Sequence, residues 1–440
     1  MIRTTWASLG IVLALAAAAV VTLVYISGRG DEVTPPVAST TPEEPSIVPA
    51  WVEVPADQLL EEGGVYAIDV TSGSRWSLEL SRLSAPAQLS VRFRGWSPEA
   101  EAIVELIRQV GESERSTVHV AIPGQSFSPF SHGFSFPASR FVWSPDGRLL
   151  AGSESPTGLS LPRLSVLELE NGGGRLDLLE LSGSANAWSA DSRYLTLSNI
   201  GRGLAVLDSE TGLTPQISAA QVSWSNSGAR LAYVSTSAAW TDRPQLLEIR
   251  VRDFIADSDM LMATIPGFTR GGVSWSLDDS FLAVSFQDDS VPRETKTFII
   301  DVAEQKATVA ISGSISAGWS SNSNTLLFSG ELCGGDDIFS VNADGSGLQN
   351  HTQSEAFDVQ PRWTPDGSGA VFVSYGGGEG VVSLVEIPRG EVRELVVTGP
   401  GTIELFAWSP DGKYIVLSVG GGTGFCEATE PQTTEVDILP

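Results

Sequence analysis

Eight tryptophans, each opening a similar stretch of about ten residues, constrain this chain of 440 residues more than any other feature. Trp143 begins WSPDGRLLAGS and Trp408 begins WSPDGKYIVLS. Between them stand Trp188 (WSADSRYLTLS), Trp224 (WSNSGARLAYVS), Trp275 (WSLDDSFLAVS), Trp319 (WSSNSNTLLFS) and Trp363 (WTPDGSGAVFVS). A degenerate copy starts at Trp96, WSPEAEAIVEL. Successive tryptophans are 47, 45, 36, 51, 44, 44 and 45 residues apart. A period of that size marks one supersecondary unit repeated in a row, and it overrides the three domains that length alone would suggest.

Each unit has a mechanical reading. Ser-Pro-Asp-Gly is a turn, in which proline presets φ, aspartate bonds back to the backbone and glycine accepts positive φ. Asp146 with Gly147, Asp366 with Gly367 and Asp411 with Gly412 fill those places. The residues that follow, such as Tyr414-Ile415-Val416-Leu417, suit a strand with two differently packed faces. One tryptophan per unit suits a large buried spacer between neighbouring sheets. Most units add a second hairpin, as in Asp337–Asn342 followed by the turn Ala343-Asp344-Gly345-Ser346-Gly347. About 45 residues hold four short strands and their turns, which is the size of one propeller blade. The expected fold is therefore all-β, a single β-propeller of four-stranded blades. Eight units predict eight blades, with a seven-bladed ring as the alternative. A ring must close on itself or leave an open edge strand. Gly64–Val70 and Trp76–Leu80 look like the second half of a blade, and the second half of the Trp408 unit is incomplete. The N-terminal strands are therefore expected to complete the last blade, although Thr434–Leu439 offers another strand there.

The W-S-P-D-G units at 143, 363 and 408, with turns such as Val341–Gly347, resemble the WD-like repeats of TolB-type β-propellers. That family also includes the N-terminal propeller of dipeptidyl-peptidase IV-like proteins. The resemblance runs from about residue 64 to the end. It implies an extracytoplasmic propeller that binds other proteins. Trp96 lacks the Asp-Gly, Trp188 to Trp224 is a short unit and Trp319 lacks the proline; blade number is thus better defined than blade regularity.

Upstream of the repeats, residues 7–26 form an uncharged run, ASLGIVLALAAAAVVTLVYI. At about 1.5 Å per residue a helix of that length crosses a bilayer core. Arg3 precedes it, giving a short cytoplasmic N-terminus at 1–6 and the remainder outside. A cleaved signal peptide is the rival reading, but this run is longer than a signal core and ends at a poor cleavage site, Tyr25-Ile26-Ser27-Gly28. Residues 27–49 are rich in Pro, Ser and Thr and read as a tether, with the propeller occupying 50–440. Arg29-Gly30-Asp31 spells an adhesion tripeptide, read here as chance. The expected location is the cell membrane, single-pass, with the propeller extracytoplasmic.

Chemistry is sparse. Acids outnumber bases 53 to 26, for a formal charge of −27, which disfavours nucleic acid as a partner. No Gly-x-Ser-x-Gly nucleophile elbow occurs, and Gly376–Gly378 and Gly420–Gly422 match no phosphate-binding spacing and read as flexible loops. His119 and His351 read as structural, while His132, in the aromatic loop Phe127–Phe134, is the histidine placed for a binding surface. Asp336 and Asp337 are the best calcium candidates, but adjacent acids are no commoner than the composition predicts. No catalytic residue, cofactor or metal is assigned. Cys333 and Cys426 fall in loops on one face of the ring, two blades apart, and in an oxidising compartment a disulfide between them is expected.

Three functions fit. The first is a membrane-tethered, non-catalytic module binding a protein or other ligand on its loop face. The second is a hydrolase or lyase whose residues converge on the channel from different blades. The third is an envelope sensor binding a small molecule or glycan, for which Phe127, Phe130, Phe134 and Phe136 would form the platform.

Overall fold

A computed structural model describes residues 49–438 apart from 62, 81–88, 111–112, 130–137, 155–162, 169–173, 183, 200–202, 214–216, 220, 237–245, 288–294, 313, 331–336, 400 and 421–435. The apolar run 7–26 and most of the tether lie outside these residues. Among the described residues no helix is long and apolar enough to cross a membrane.

The chain forms eight antiparallel sheets arranged as the blades of a propeller. Blade 1 begins with Leu89–Trp96 and blade 2 with Ala138–Trp143; blades 3 to 7 begin with Ser184–Trp188, Gln221–Trp224, Phe268–Trp275, Ser314–Trp319 and Phe357–Trp363. Every repeat tryptophan ends the first strand of its blade, and these first strands pack on one another around the ring. They are the innermost strands. Blade 8 pairs Thr402–Trp408 and Tyr414–Gly420 with Val65–Asp69 and Arg75–Leu80, so the N-terminal strands close the ring as their sequence predicts. Pro49–Val54 adds a fifth strand at that blade's outer edge. The C-terminal strand, Val436–Ile438, does not join blade 8; it pairs with Lys306–Ser312 on the outer edge of blade 5. A free outer edge is a template for unwanted pairing, and both chain ends cover one.

The blades are held by a repeated contact. The indole Nε1 of five of the eight repeat tryptophans donates to the carbonyl just before the previous blade's tryptophan. Trp188 bonds Val142 (3.0 Å), Trp224 bonds Ala187 (3.3 Å), Trp275 bonds Ser223 (3.0 Å), Trp319 bonds Ser274 (3.2 Å) and Trp363 bonds Gly318 (3.1 Å). The body of the ring fills the space between sheets, and its one donor meets a carbonyl left free at the inner edge. Apolar clusters fill the junctions beside these bonds, for example Val234, Ile249 and Phe286 between blades 4 and 5. The 8–1 junction is built differently. Tyr414 stacks on Trp96 and meets Trp76 edge-on, with centroids 6.2 and 6.1 Å apart, and Trp51 stacks on Phe127. The indole nitrogens of Trp96 and Trp408 take no partner.

After five of the tryptophans the turn is locked in the same way. In blade 8, Ser409 Oγ donates to Asp411 Oδ1 (2.5 Å) and accepts from Tyr414 N (2.8 Å), while Asp411 Oδ1 accepts from Lys413 N (3.1 Å). The pattern recurs around Ser144–Asp146, Ser189–Asp191, Ser276–Asp278 and Thr364–Asp366. The fourth residue past the tryptophan has positive φ at Gly147, Gly228, Gly367 and Gly412, and also at Ala100, Ser192 and Asp279. The hydrogen bonds therefore impose the turn even where glycine is missing. Asp279 uses its side chain instead, accepting from the N–H groups of Asn226 (2.7 Å) and Ser227 (2.9 Å) in blade 4. The glycines also nest against the preceding blade. A Cβ on Gly228 would lie 2.7 Å from Asp191 N, whereas one on Gly412 would lie 3.5 Å from Pro365. Gly412→Ala should therefore cost only the left-handed backbone penalty, about 1–2 kcal/mol. Gly228→Ala should cost a further 1–3 kcal/mol or so for overpacking. Urea midpoints at unchanged m measure both, and equal losses would refute the nesting.

The outer hairpins are capped by a second aspartate set. Asp69, Asp208, Asp253 and Asp301 each end a third strand and accept from the N–H groups two and three residues on. Burial pushes the Asp208 carboxyl up, but hydrogen bonds from Arg193, Thr211 and the Glu210 N–H outweigh it and hold the group at about 2. A depressed folded value contributes stability above the unfolded pKa and loses it as pH falls toward the folded one. Asp208→Asn should thus destabilise by about 1–2 kcal/mol at neutral pH, Arg193 being partly solvated. Chemical unfolding repeated down to the acid limit should show that difference shrinking.

Candidate functional site

The two faces of the ring are built to different rules. First and second strands are joined on one face, the turn face, and five residues separate them in all eight blades, from 97–101 in blade 1 to 409–413 in blade 8. Second and third strands are joined on the opposite face, where the connections run from two residues (111–112 and 377–378) to nine (237–245). The links between blades emerge there too. The turn face is uniform because each turn must serve the tryptophan and the neighbouring turn at once.

On that loop face, at blades 6 and 7, the described residues bring two carboxylates together. Asp337 precedes the third strand of blade 6, and its carboxylate accepts from Asn350 Nδ2 (2.6 Å), Thr352 Oγ1 (3.0 Å) and Ser354 N (3.0 Å). Asp358, buried on the innermost strand of blade 7, accepts from Ser354 Oγ (2.9 Å) and, through a very short bond, from Ser374 Oγ. Ser354 thus links the two acids, its N–H to one and its hydroxyl to the other. Burial drives the Asp358 carboxyl above the usual aspartate range; the serine and threonine hydroxyls oppose it, and Asp337 adds repulsion. His351 lies buried alongside in sequence, its Nε2 2.8 Å from Ser340 Oγ and its N–H on the Ile338 carbonyl. Its Nδ1 has no partner, and burial lowers its pKa, favouring the neutral ring. The arrangement pins the 351–356 link between blades 6 and 7 and stores one reluctantly charged carboxyl beneath it.

Most candidates from the sequence go elsewhere. Asp337 spends its acceptors on protein donors; Asp336 lies outside the described residues, and among those described no cluster of His, Cys, Asp and Glu could hold a metal ion. His119 is buried in blade 1 with Nε2 3.0 Å from Thr117 Oγ1, while His132 lies outside the described residues. So do Cys333 and Cys426, and with them the expected disulfide. Phe127 packs on Trp51 at the ring closure, centroids 5.7 Å apart; Phe130, Phe134 and Phe136 are outside the described residues. Gly377 and Gly378 are not a loose loop: with φ of 66° and 91° they make a two-residue hairpin turn between Gly376 and Glu379. Sequence reasoning missed Ser354, Asp358 and Ser374. A lone aspartate in Phe357-Asp358-Val359 carries no signal, because its partners come from a link and a neighbouring strand.

An aspartate with a raised folded pKa favours the fold while protonated and opposes it once ionised. Relative to Asp358→Asn, the parent should therefore lose stability as pH rises from about 4 toward neutrality. Urea unfolding of both proteins across that range tests this, and parallel curves would refute it.

No family model matches the chain. Over 143 residues it is 30% identical to dipeptidyl-peptidase 5 of Porphyromonas endodontalis, covering 31% of this chain and 20% of that protein. Over 100 residues it is 34% identical to the TolB homolog of Chlorobium luteolum, covering 22% of each. These matches thus span about a fifth of each curated relative. Among solved structures, dipeptidyl peptidase 4 of Porphyromonas gingivalis aligns with 74% of this chain and 56% of its own, at 12% identity and a TM-score of 0.49.

Proposed function

We propose that this eight-bladed ring of TolB-type repeats is a binding module, held outside the cytoplasm by its N-terminal apolar segment, that engages another protein through its loop face. The observation that carries this reading is the contrast between faces: five residues in every first turn, against two to nine in the opposite connections. Binding surfaces sit on connections of free length and composition carried by a rigid scaffold. The uniform face supplies the scaffold. Interblade bonds fix each blade relative to the next, so the loops of eight blades are presented as one surface. The charge of −27 favours a partner with a basic face and steers its approach. The single-pass tether and the Pro-rich 27–49 segment would let that surface stand away from the membrane.

A photo-crosslinking residue placed at Gln353, exposed on the loop face, should capture one reproducible protein in native membranes. The same residue at Glu304, exposed on the turn face of blade 5, should not. Capture of that protein equally from both positions, or from neither, would overturn the assignment.

A further inference from the structure

The innermost strands reverse the charge balance of the sequence as a whole. The eight innermost strands carry five arginines, Arg92, Arg94, Arg140, Arg270 and Arg362, against two acids, Asp358 and Glu404. The whole chain has acids in twofold excess. One of these acids, Asp358, is buried and resists ionisation. Seven of the eight innermost strands are also bulged, and Arg94, Arg140, Arg270 and Glu404 occupy the extra positions. A bulge re-aims backbone and side chain at the inner edge of a sheet.

Two of the arginines stand out by their surroundings. Arg92 in blade 1 and Arg362 in blade 7 are exposed, and the structure gives neither an ion pair nor a hydrogen bond. Every other arginine whose side chain is described is tied down. Arg94, Arg148, Arg193, Arg230, Arg250, Arg252 and Arg389 meet carboxylates, and Arg75 and Arg393 bond carbonyls. In a chain this rich in acid, an unpaired arginine is the exception, and both exceptions lie on innermost strands. The flanks of those strands pack against neighbouring blades, yet these two side chains stay exposed. Exposed Gln360 adds an amide two residues before Arg362. Arg94 is held in the same wall by Glu105, fully buried, at 2.8 and 2.5 Å.

We infer that the channel is a binding site for a multivalent oxyanion, a ligand bearing several carboxylates or phosphates, with Arg92 and Arg362 as its principal contacts. The guanidinium fork takes both groups through paired, charge-assisted hydrogen bonds. Blades 1 and 7 flank blade 8, and the two arginines stand four residues and one residue before their tryptophans. They therefore differ in depth by about 10 Å at roughly 3.3 Å per residue. That spread suits an elongated ligand with separated charges better than one small ion. The net charge of −27 disfavours anions at large, and a cleft of opposite sign concentrates its field. This site is independent of any protein partner on the loop face.

Calorimetric titration of the full chain at low ionic strength, with tripolyphosphate and separately with tetraglutamate, tests the inference. At least one probe should bind saturably, and the Arg92→Gln/Arg362→Gln variant should bind it about tenfold or more weakly at an unchanged melting temperature. Arg148→Gln, which removes an exposed arginine paired with Glu168, should bind like the parent. Tripolyphosphate alone would identify a phosphate-bearing ligand, tetraglutamate alone a carboxylate-bearing one, and both an unselective oxyanion site. No saturable binding of either probe, an unaffected double variant, or equal loss in Arg148→Gln would overturn it.

Discussion

The bond that five of the repeat indoles donate to the carbonyl before the preceding tryptophan fixes more of this molecule than its strength suggests. A single such hydrogen bond is worth about 1 kcal/mol. Its effect is geometric: the donor sits at the end of a rigid ring and the acceptor on the inner edge of the next sheet, so one contact sets both spacing and rotation. From Trp188 to Trp363 the contact repeats without interruption. The Ser–Asp or Thr–Asp turn after five of the tryptophans holds that ring at a constant place in its blade. Together they explain why the first turn tolerates no change in length while the opposite connections vary.

Ring closure needs a different solution because its strands come from opposite ends of the chain. There Tyr414, Trp76 and Trp96 meet as an aromatic cluster, and the indole relay, which runs from Trp188 to Trp363, does not reach it. Aromatic faces pack over a wider range of angles than a directed hydrogen bond accepts. That latitude suits a junction made from segments more than 300 residues apart. The chain ends then serve as edge covers, Pro49–Val54 on blade 8 and Val436–Ile438 on blade 5. The ring is thus closed both between blades and at two of its rims.

This division leaves chemistry to the places the repeat does not occupy. The loop face gathers Asp337, Ser354 and Asp358 from a loop, a link and a strand, and the channel gathers arginines from separate blades. Neither is a local motif. The conflict at Asp358, an acid buried where a repeat would place an apolar residue, and the unpaired charge at Arg92 and Arg362 mark where local sequence rules yield to another demand.

The sequence alone pointed to the class of fold, to eight blades with seven as the alternative, to a turn after each repeat tryptophan and to the use of N-terminal strands to finish the ring. Those features follow from a period near 45 residues and from turn chemistry acting within five residues, both of which are one-dimensional. Tertiary structure decided the rest. The positive φ of Ala100, Ser192 and Asp279 appears only when the turn's hydrogen bonds are closed, since none of these residues prefers it. Val436–Ile438 chose blade 5 because an available edge, rather than chain order, selects a terminal strand's partner. Asp358 and Ser354 became neighbours, and Arg92 and Arg362 came to line one channel, because closing a ring brings together residues whose separation along the chain carries no record of the contact.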